Sequence, residues 1–108
     1  MKVSFDYDNT LSNIKYRELA KKFVLQGAEV WITTSRFMDK VGVKLPYDNR
    51  QVFETAKEVG IKENRIVFTC GKEKYEFLKD FDLHFDDDDE EIYLINEHPC
   101  KCIGILIQ

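Results

Sequence analysis

The chain has 108 residues, 44% of them hydrophobic and 33% charged, with five Gly, two Pro and three Cys. That length holds one core rather than two, and the composition excludes a disordered, collagen-like or disulfide-stapled chain. The formal net charge is −4, but residues 86–91 read DDDDEE, so the rest of the chain carries +2 and the acidity sits in one place.

Residues 2–6 alternate around Val3 and Phe5 and predict a strand. From Asn13 the spacing turns helical. Ile14, Leu19, Ala20, Phe23 and Val24 share one side, and Lys15, Arg17, Lys21 and Lys22 the other. Ser12 or Asn13 caps this helix and Gly27 stops it. AEVWIT (28–33), β-branched and aromatic, reads as a buried strand. Residues 36–48, with Gly42 and Pro46, read as an irregular loop. A second helix is predicted from Arg50 to Val59, capped by Asp48 or Asn49 and closed by Gly60. RIVF (65–68) reads as a strand, KEKYEFLK (72–79) as a short helix and DLHF (82–85) as a strand. The acidic run opens another short helix, its charges favoured at a helix N-terminus, and CIGILI (102–107) is the last strand.

Strands alternating with helices predict an α/β fold. The expectation is one three-layer, Rossmann-like domain over residues 1–108, with about five mostly parallel strands and helices on both faces. In such sheets ligands bind at the carboxyl ends of the strands. Asp6, Thr34 and Asp86 each fall just beyond one of those ends. No apolar stretch exceeds about six residues, too short for a bilayer span, and Lys2 and Asp6 argue against a signal peptide. Cys70, Cys100 and Cys102 are an odd set without framework spacing, so reduced thiols and a cytoplasmic location are expected.

Asp6 and Asp8, at alternate positions leaving a strand, can converge on one small volume when the backbone bends. One can then attack as a nucleophile while the other moves protons. Both are anions, so such a site needs a hard divalent cation, Mg²⁺ being the natural choice, to relieve their repulsion and draw in a phosphate. Asp86 and Asp87 supply further oxygen ligands, Thr34 or Ser35 a hydroxyl, and Lys72 or Lys74 a positive charge for phosphoryl oxygens.

Four segments in this order resemble the haloacid dehalogenase superfamily of phosphohydrolases over essentially the whole chain. FDYDNT is similar to its first motif, Asp-x-Asp-x-Thr after an apolar strand. VWITTSR is similar to the second, a strand ending in Thr or Ser. GKEKYEFL carries the lysine of the third, and LHFDDD the paired Asp of the fourth. The resemblance implies Asp6 as the nucleophile that forms an aspartyl-phosphate. It implies Asp8 as the acid for the leaving group and then the base for water. Thr34, or Thr33, would bind the phosphoryl group, and Lys74, or Lys72, would neutralise it. The ion would be held by Asp6, the backbone carbonyl of Asp8, and Asp86 or Asp87. Asn9, Ser35 and Arg36 are the expected substrate contacts, with a structural salt bridge equally open for Arg36. The carboxylate at Asp8 favours a phosphate reaction over carbon–halogen cleavage.

Members of that superfamily often carry a cap domain, but 25 residues separate Asp8 from Thr34 and 39 separate Thr34 from Lys74, nearly all used by predicted elements. Only the 36–48 loop is spare, enough for a flap. An open site is expected, taking a large phosphorylated substrate or covered by a second copy of the chain. The substrate class stays open among nucleotide, nucleic-acid end, phosphosugar and phosphoprotein. The alternatives are a phosphotransferase and a non-catalytic metal- or phosphate-binding module on the same fold. The basic side of the first helix reads as a solvated face, with nucleic acid only as a substrate. His98, Cys100 and Cys102 alternate, but such tight spacing strains tetrahedral zinc geometry and no fourth ligand stands near.

Overall fold

Five strands alternate with three helices in the computed structural model, which describes residues 1–107 of the domain expected over 1–108. Strand β1 is Lys2–Phe5, β2 Glu29–Thr34, β3 Ile66–Phe68, β4 Leu83–Asp86 and β5 Ile103–Leu106; helix α1 is Ile14–Leu25, α2 Arg50–Val59 and α3 Asp89–Glu97. All four strand pairings are parallel, in the order β3-β2-β1-β4-β5. The α/β expectation is borne out, with helices on the two faces and no cap domain among the described residues. Phe5 lies opposite Ile32 on one side and Phe85 on the other, so β1 and β4 end within one residue of each other while β2 runs two residues further, to Thr34.

Side chains of alternate parity build two different layers. On one face Val3, Phe5, Val30, Ile32 and Phe85 pack with Tyr16 and Ala20 of α1 and Val52 and Ala56 of α2. Phe5 and Phe85 stack at 4.7 Å, with Phe23 closing on both. On the other face Trp31, Leu78 and Phe81 pack with Ile92 and Ile95 of α3. The centre of that second face is polar. Ser4, Thr33 and His84 fill it, each with no solvent exposure.

Local signals set the helix limits. The Asn13 side chain accepts the amide of Lys15, and Gly60 closes α2 in the left-handed region at φ 95°. Asp88 caps α3 by accepting the amides of Glu90 and Glu91. Two elements differ from expectation. The strand expected over 65–68 starts at Ile66, because Glu63–Arg65 form a 3₁₀ turn. The helix expected over 72–79 is one 3₁₀ turn, Lys74–Phe77. Its chain must pass from the edge strand β3 to β4, three strand spacings or about 14 Å sideways, and back along the sheet. A regular helix, rising about 1.5 Å per residue, covers that path too slowly. No helix among the described residues is long and apolar enough to cross a membrane.

Candidate active site

The strand order places a topological switch point at β1. From there the chain steps outward through β2 to β3, then returns to the other side for β4 and β5. A crevice opens at the carboxyl ends of β1 and β4, where such sheets bind ligands. Asp6 leaves β1 there and Asp86 ends β4.

Beyond β1 the backbone makes one wide turn over Tyr7–Leu11, closed by amide-to-carbonyl bonds from Leu11 to Asp6 (3.3 Å) and from Ser12 to Tyr7 (3.0 Å). Within it Asn9 sits at φ 61°, a left-handed conformation that a short polar residue tolerates. The turn directs Asp6 into the molecule, 5% exposed, and Asp8 to the surface.

Lys74 joins the two strand ends. Its Nζ donates to Asp6 Oδ1 and to Asp86 Oδ2, each at 2.7 Å, in a buried setting. Thr10 donates its hydroxyl to Asp6 Oδ2 at 3.3 Å. Asp86 Oδ2 also meets His84 Nε2 at 2.8 Å, while Oδ1 accepts the amide of Asp88 at 3.0 Å. The start of the Lys74 turn is braced from α3, where Glu91 Oε2 accepts the Lys74 amide at 2.9 Å. Carboxylate oxygens of Asp6, Asp86 and Asp87 lie within 4.8 Å of one another, close enough for one ion to be shared. A cavity of about 290 Å³ opens over them, lined also by Asp8, Asn9, Ser35, Lys74 and Asp88.

One ammonium serves two buried carboxylates, and the electrostatics show the deficit. Burial, with Asp86 alongside, pushes Asp6 up to about 8 despite Lys74. Burial presses against ionisation of Asp86 too, but the His84 hydrogen bond and Lys74 outweigh it and hold Asp86 below the usual carboxylate range. Lys74 resists its own burial through the charges of Asp6 and Asp86 and stays above its ordinary value. Burial pushes Glu91 up to about 7. The donor set is therefore all oxygen, anionic and short of positive charge, which fits a hard divalent cation.

The open sequence alternatives now have positions. Lys74 enters the site and Lys72 is exposed. Thr33 bonds Ser4 Oγ at 2.7 Å inside the sheet. Thr34 is buried, its Oγ1 accepting the Arg36 amide at 3.3 Å, and Ser35 is the neighbour that lines the cavity. Asp86 and Asp87 belong to the cluster, while the Asp8 carboxylate stays out of it. Arg36 holds that carboxylate in a two-pronged pair at 2.7 and 3.0 Å. The guanidinium is 4.9 Å from the Tyr7 ring and 4.5 Å from the Tyr47 ring, and it donates to the Asp48 carbonyl at 3.3 Å. With Asp8 as its partner, Arg36 makes the salt bridge that the sequence left open. The same residue anchors the 36–48 loop, which Tyr47 and Asn49 tie back to Phe37.

Sequence reasoning gave no site role to His84, Ser4 or Glu91, and placed Thr10 in the first motif without a role. The one available signal was parity: His84 stands two before Asp86 on a strand, so it shares Asp86's face. His98 and the cysteines form no cluster with a third ligand among the described residues. His98 stacks on Tyr75 at 3.8 Å and bonds the Leu94 carbonyl, and burial pushes the Cys102 thiol up to about 12. Compared with protein-family models and with curated proteins, the chain gives no match.

Proposed function

We propose that the domain is a Mg²⁺-dependent phosphomonoester phosphatase of the haloacid dehalogenase type, working through an aspartyl-phosphate. The observation that carries this reading is Lys74 bridging Asp6 and Asp86 at the switch point, with Asp87 completing three convergent carboxylates. A structural ion pair has no need of the third carboxylate or of a cavity above it.

Asp6, Asp86 and Asp87 would hold the cation, which supplies charge neutralisation for the nucleophile and the phosphoryl oxygens. A carboxylate oxygen of Asp6 attacks phosphorus, and the ester P–O bond breaks. The leaving alkoxide takes a proton from Asp8. Water then attacks the aspartyl-phosphate, giving its proton to Asp8, and the bond from phosphorus to Asp6 breaks to release phosphate. Lys74 offsets negative charge throughout, and Ser35 and Asn9 border the space for the phosphoryl group. Asp8 begins ionised on Arg36, with its side chain 51% exposed, so it leaves that pair and takes a proton from solvent before giving it to the leaving group. The uncapped cavity suits a phosphorylated group displayed on a small molecule or a macromolecule.

The test is hydrolysis of p-nitrophenyl phosphate and a panel of nucleotides and sugar phosphates, with Mg²⁺ and with EDTA, for wild type and Asp6→Asn. Turnover that needs Mg²⁺ and falls by at least about 10³-fold in Asp6→Asn is expected. No turnover on any compound, with Mg²⁺ bound, would favour the non-catalytic binding module instead.

A further inference from the structure

The second face of the sheet has a polar centre where an aliphatic layer would otherwise pack. Ser4, Thr33, His84 and Asp86 are each fully buried, and each would be costly there without partners. They partner one another. Thr33 Oγ1 meets Ser4 Oγ at 2.7 Å, Ser4 Oγ meets His84 Nδ1 at 3.0 Å, and His84 Nε2 meets Asp86 Oδ2 at 2.8 Å. The chain crosses β2, β1 and β4 in turn and ends on a carboxylate of the site.

One end of it has a fixed direction. A carboxylate only accepts, so His84 Nε2 carries the hydrogen and donates to Asp86. Ser4 holds the opposite ring nitrogen and stops the imidazole from turning. Asp86 therefore receives three donors: His84 and Lys74 on Oδ2, and the Asp88 amide on Oδ1. A carboxylate has about four lone-pair positions, so about one remains for an ion.

We propose that His84, held in place by Ser4 and Thr33, is a positioning residue that fixes which lone pair of Asp86 faces the cation. The proposal rests on the metal-dependent reading above and extends it to residues that touch neither cation nor substrate. Outer partners of this kind commonly govern metal affinity as strongly as some ligands do.

The experiment is Mg²⁺ titration by calorimetry on wild type, His84→Phe, His84→Gln and Ser4→Ala, with circular dichroism as the folding check. Ring-nitrogen NMR then locates the imidazole hydrogen. In wild type it is expected on Nε2. His84→Phe should bind Mg²⁺ about ten- to a hundredfold more weakly. His84→Gln, whose amide can donate from near the Nε2 position, should return to within about threefold of wild type. Ser4→Ala, which removes one hydroxyl and adds no bulk, should weaken binding about three- to tenfold as the ring loses its hold. Should His84→Phe fail to fold, Ser4→Ala and the NMR measurement decide. Folded variants that bind as tightly as wild type, or a bare Nε2 in wild type, overturn the proposal alone. Wild type that binds no Mg²⁺ overturns the phosphatase reading and this proposal with it.

Discussion

Asp6 carries a conflict that its neighbours only half resolve. In the proposed reaction it has to be ionised to attack phosphorus, yet burial beside Asp86 pushes it up to about 8. Lys74 cannot neutralise both carboxylates. The folded pKa lies above the ordinary value, so below pH 8 Asp6 retains a proton that a cation must displace. Mg²⁺ binding should accordingly release a proton at pH 7 and tighten as pH rises. The slope approaches about tenfold per pH unit below pH 8 and flattens above it. Calorimetry at pH 7 in two buffers of different protonation enthalpy measures the release, and Asp6→Asn should abolish the slope. Binding with no proton released at pH 7 would mean that Asp6 is already ionised there, and the burial-driven rise would be overturned. At this scale the acids were legible because a carboxylate pair just past an apolar strand has few other uses. His84 was not, because a lone histidine between Leu83 and Phe85 reads as core. Only the register with β1 brings Ser4 beside it.

The elements explain why Lys74 can reach Asp6 at all. The lysine rides on a single 3₁₀ turn, too short to hold itself by its own hydrogen bonds. Two neighbours hold it: Leu78, fully buried at the far end, and Glu91, which reaches across from α3 to the Lys74 amide. Glu91→Ala should loosen the turn and lower kcat/KM about tenfold, the effect of losing about 1–1.5 kcal/mol of positioning. Glu91→Gln keeps an acceptor and should stay near wild type. Steady-state kinetics with unchanged circular dichroism checks the pair, and equal loss in both would mean that the charge of Glu91 matters rather than its hydrogen bond. The strands were legible as short β-branched and aromatic runs buried on both faces, and the long helices from the period of one buried face. The Lys74 turn was misread as a helix because its composition favours one, while the reach from β3 to β4 overrides propensity. The 36–48 loop was legible as irregular, but its scaffold was not. That scaffold depends on Arg36 lying between Tyr7 and Tyr47, residues brought together only by the fold.

Across the whole molecule, charge is distributed unevenly in a way that bears on stability. Six consecutive acids begin at the carboxyl end of β4, beside Asp6, while the rest of the chain is net positive. Two mechanisms would relieve that concentration: general screening by any salt, or a bound ion at the three-carboxylate cluster. They differ in magnitude and in specificity. Screening acts over a Debye length of about 10 Å at 0.1 M salt and treats ions alike, and exposed pairs contribute about 1 kcal/mol or less. A site-bound ion stabilises by mass action, about 2.7 kcal/mol at a hundred times its Kd. For a domain of this size that raises Tm by roughly 10–20 °C. Millimolar Mg²⁺ should therefore give a clear shift in a thermal melt that NaCl of equal ionic strength does not reproduce. Asp87 is the exposed member of the cluster, so Asp87→Asn should remove most of the Mg²⁺-specific shift while leaving the metal-free melt near wild type. Equal shifts from NaCl and Mg²⁺, or a Mg²⁺ shift unchanged in Asp87→Asn, would reduce the acidic end of the sheet to a screened surface.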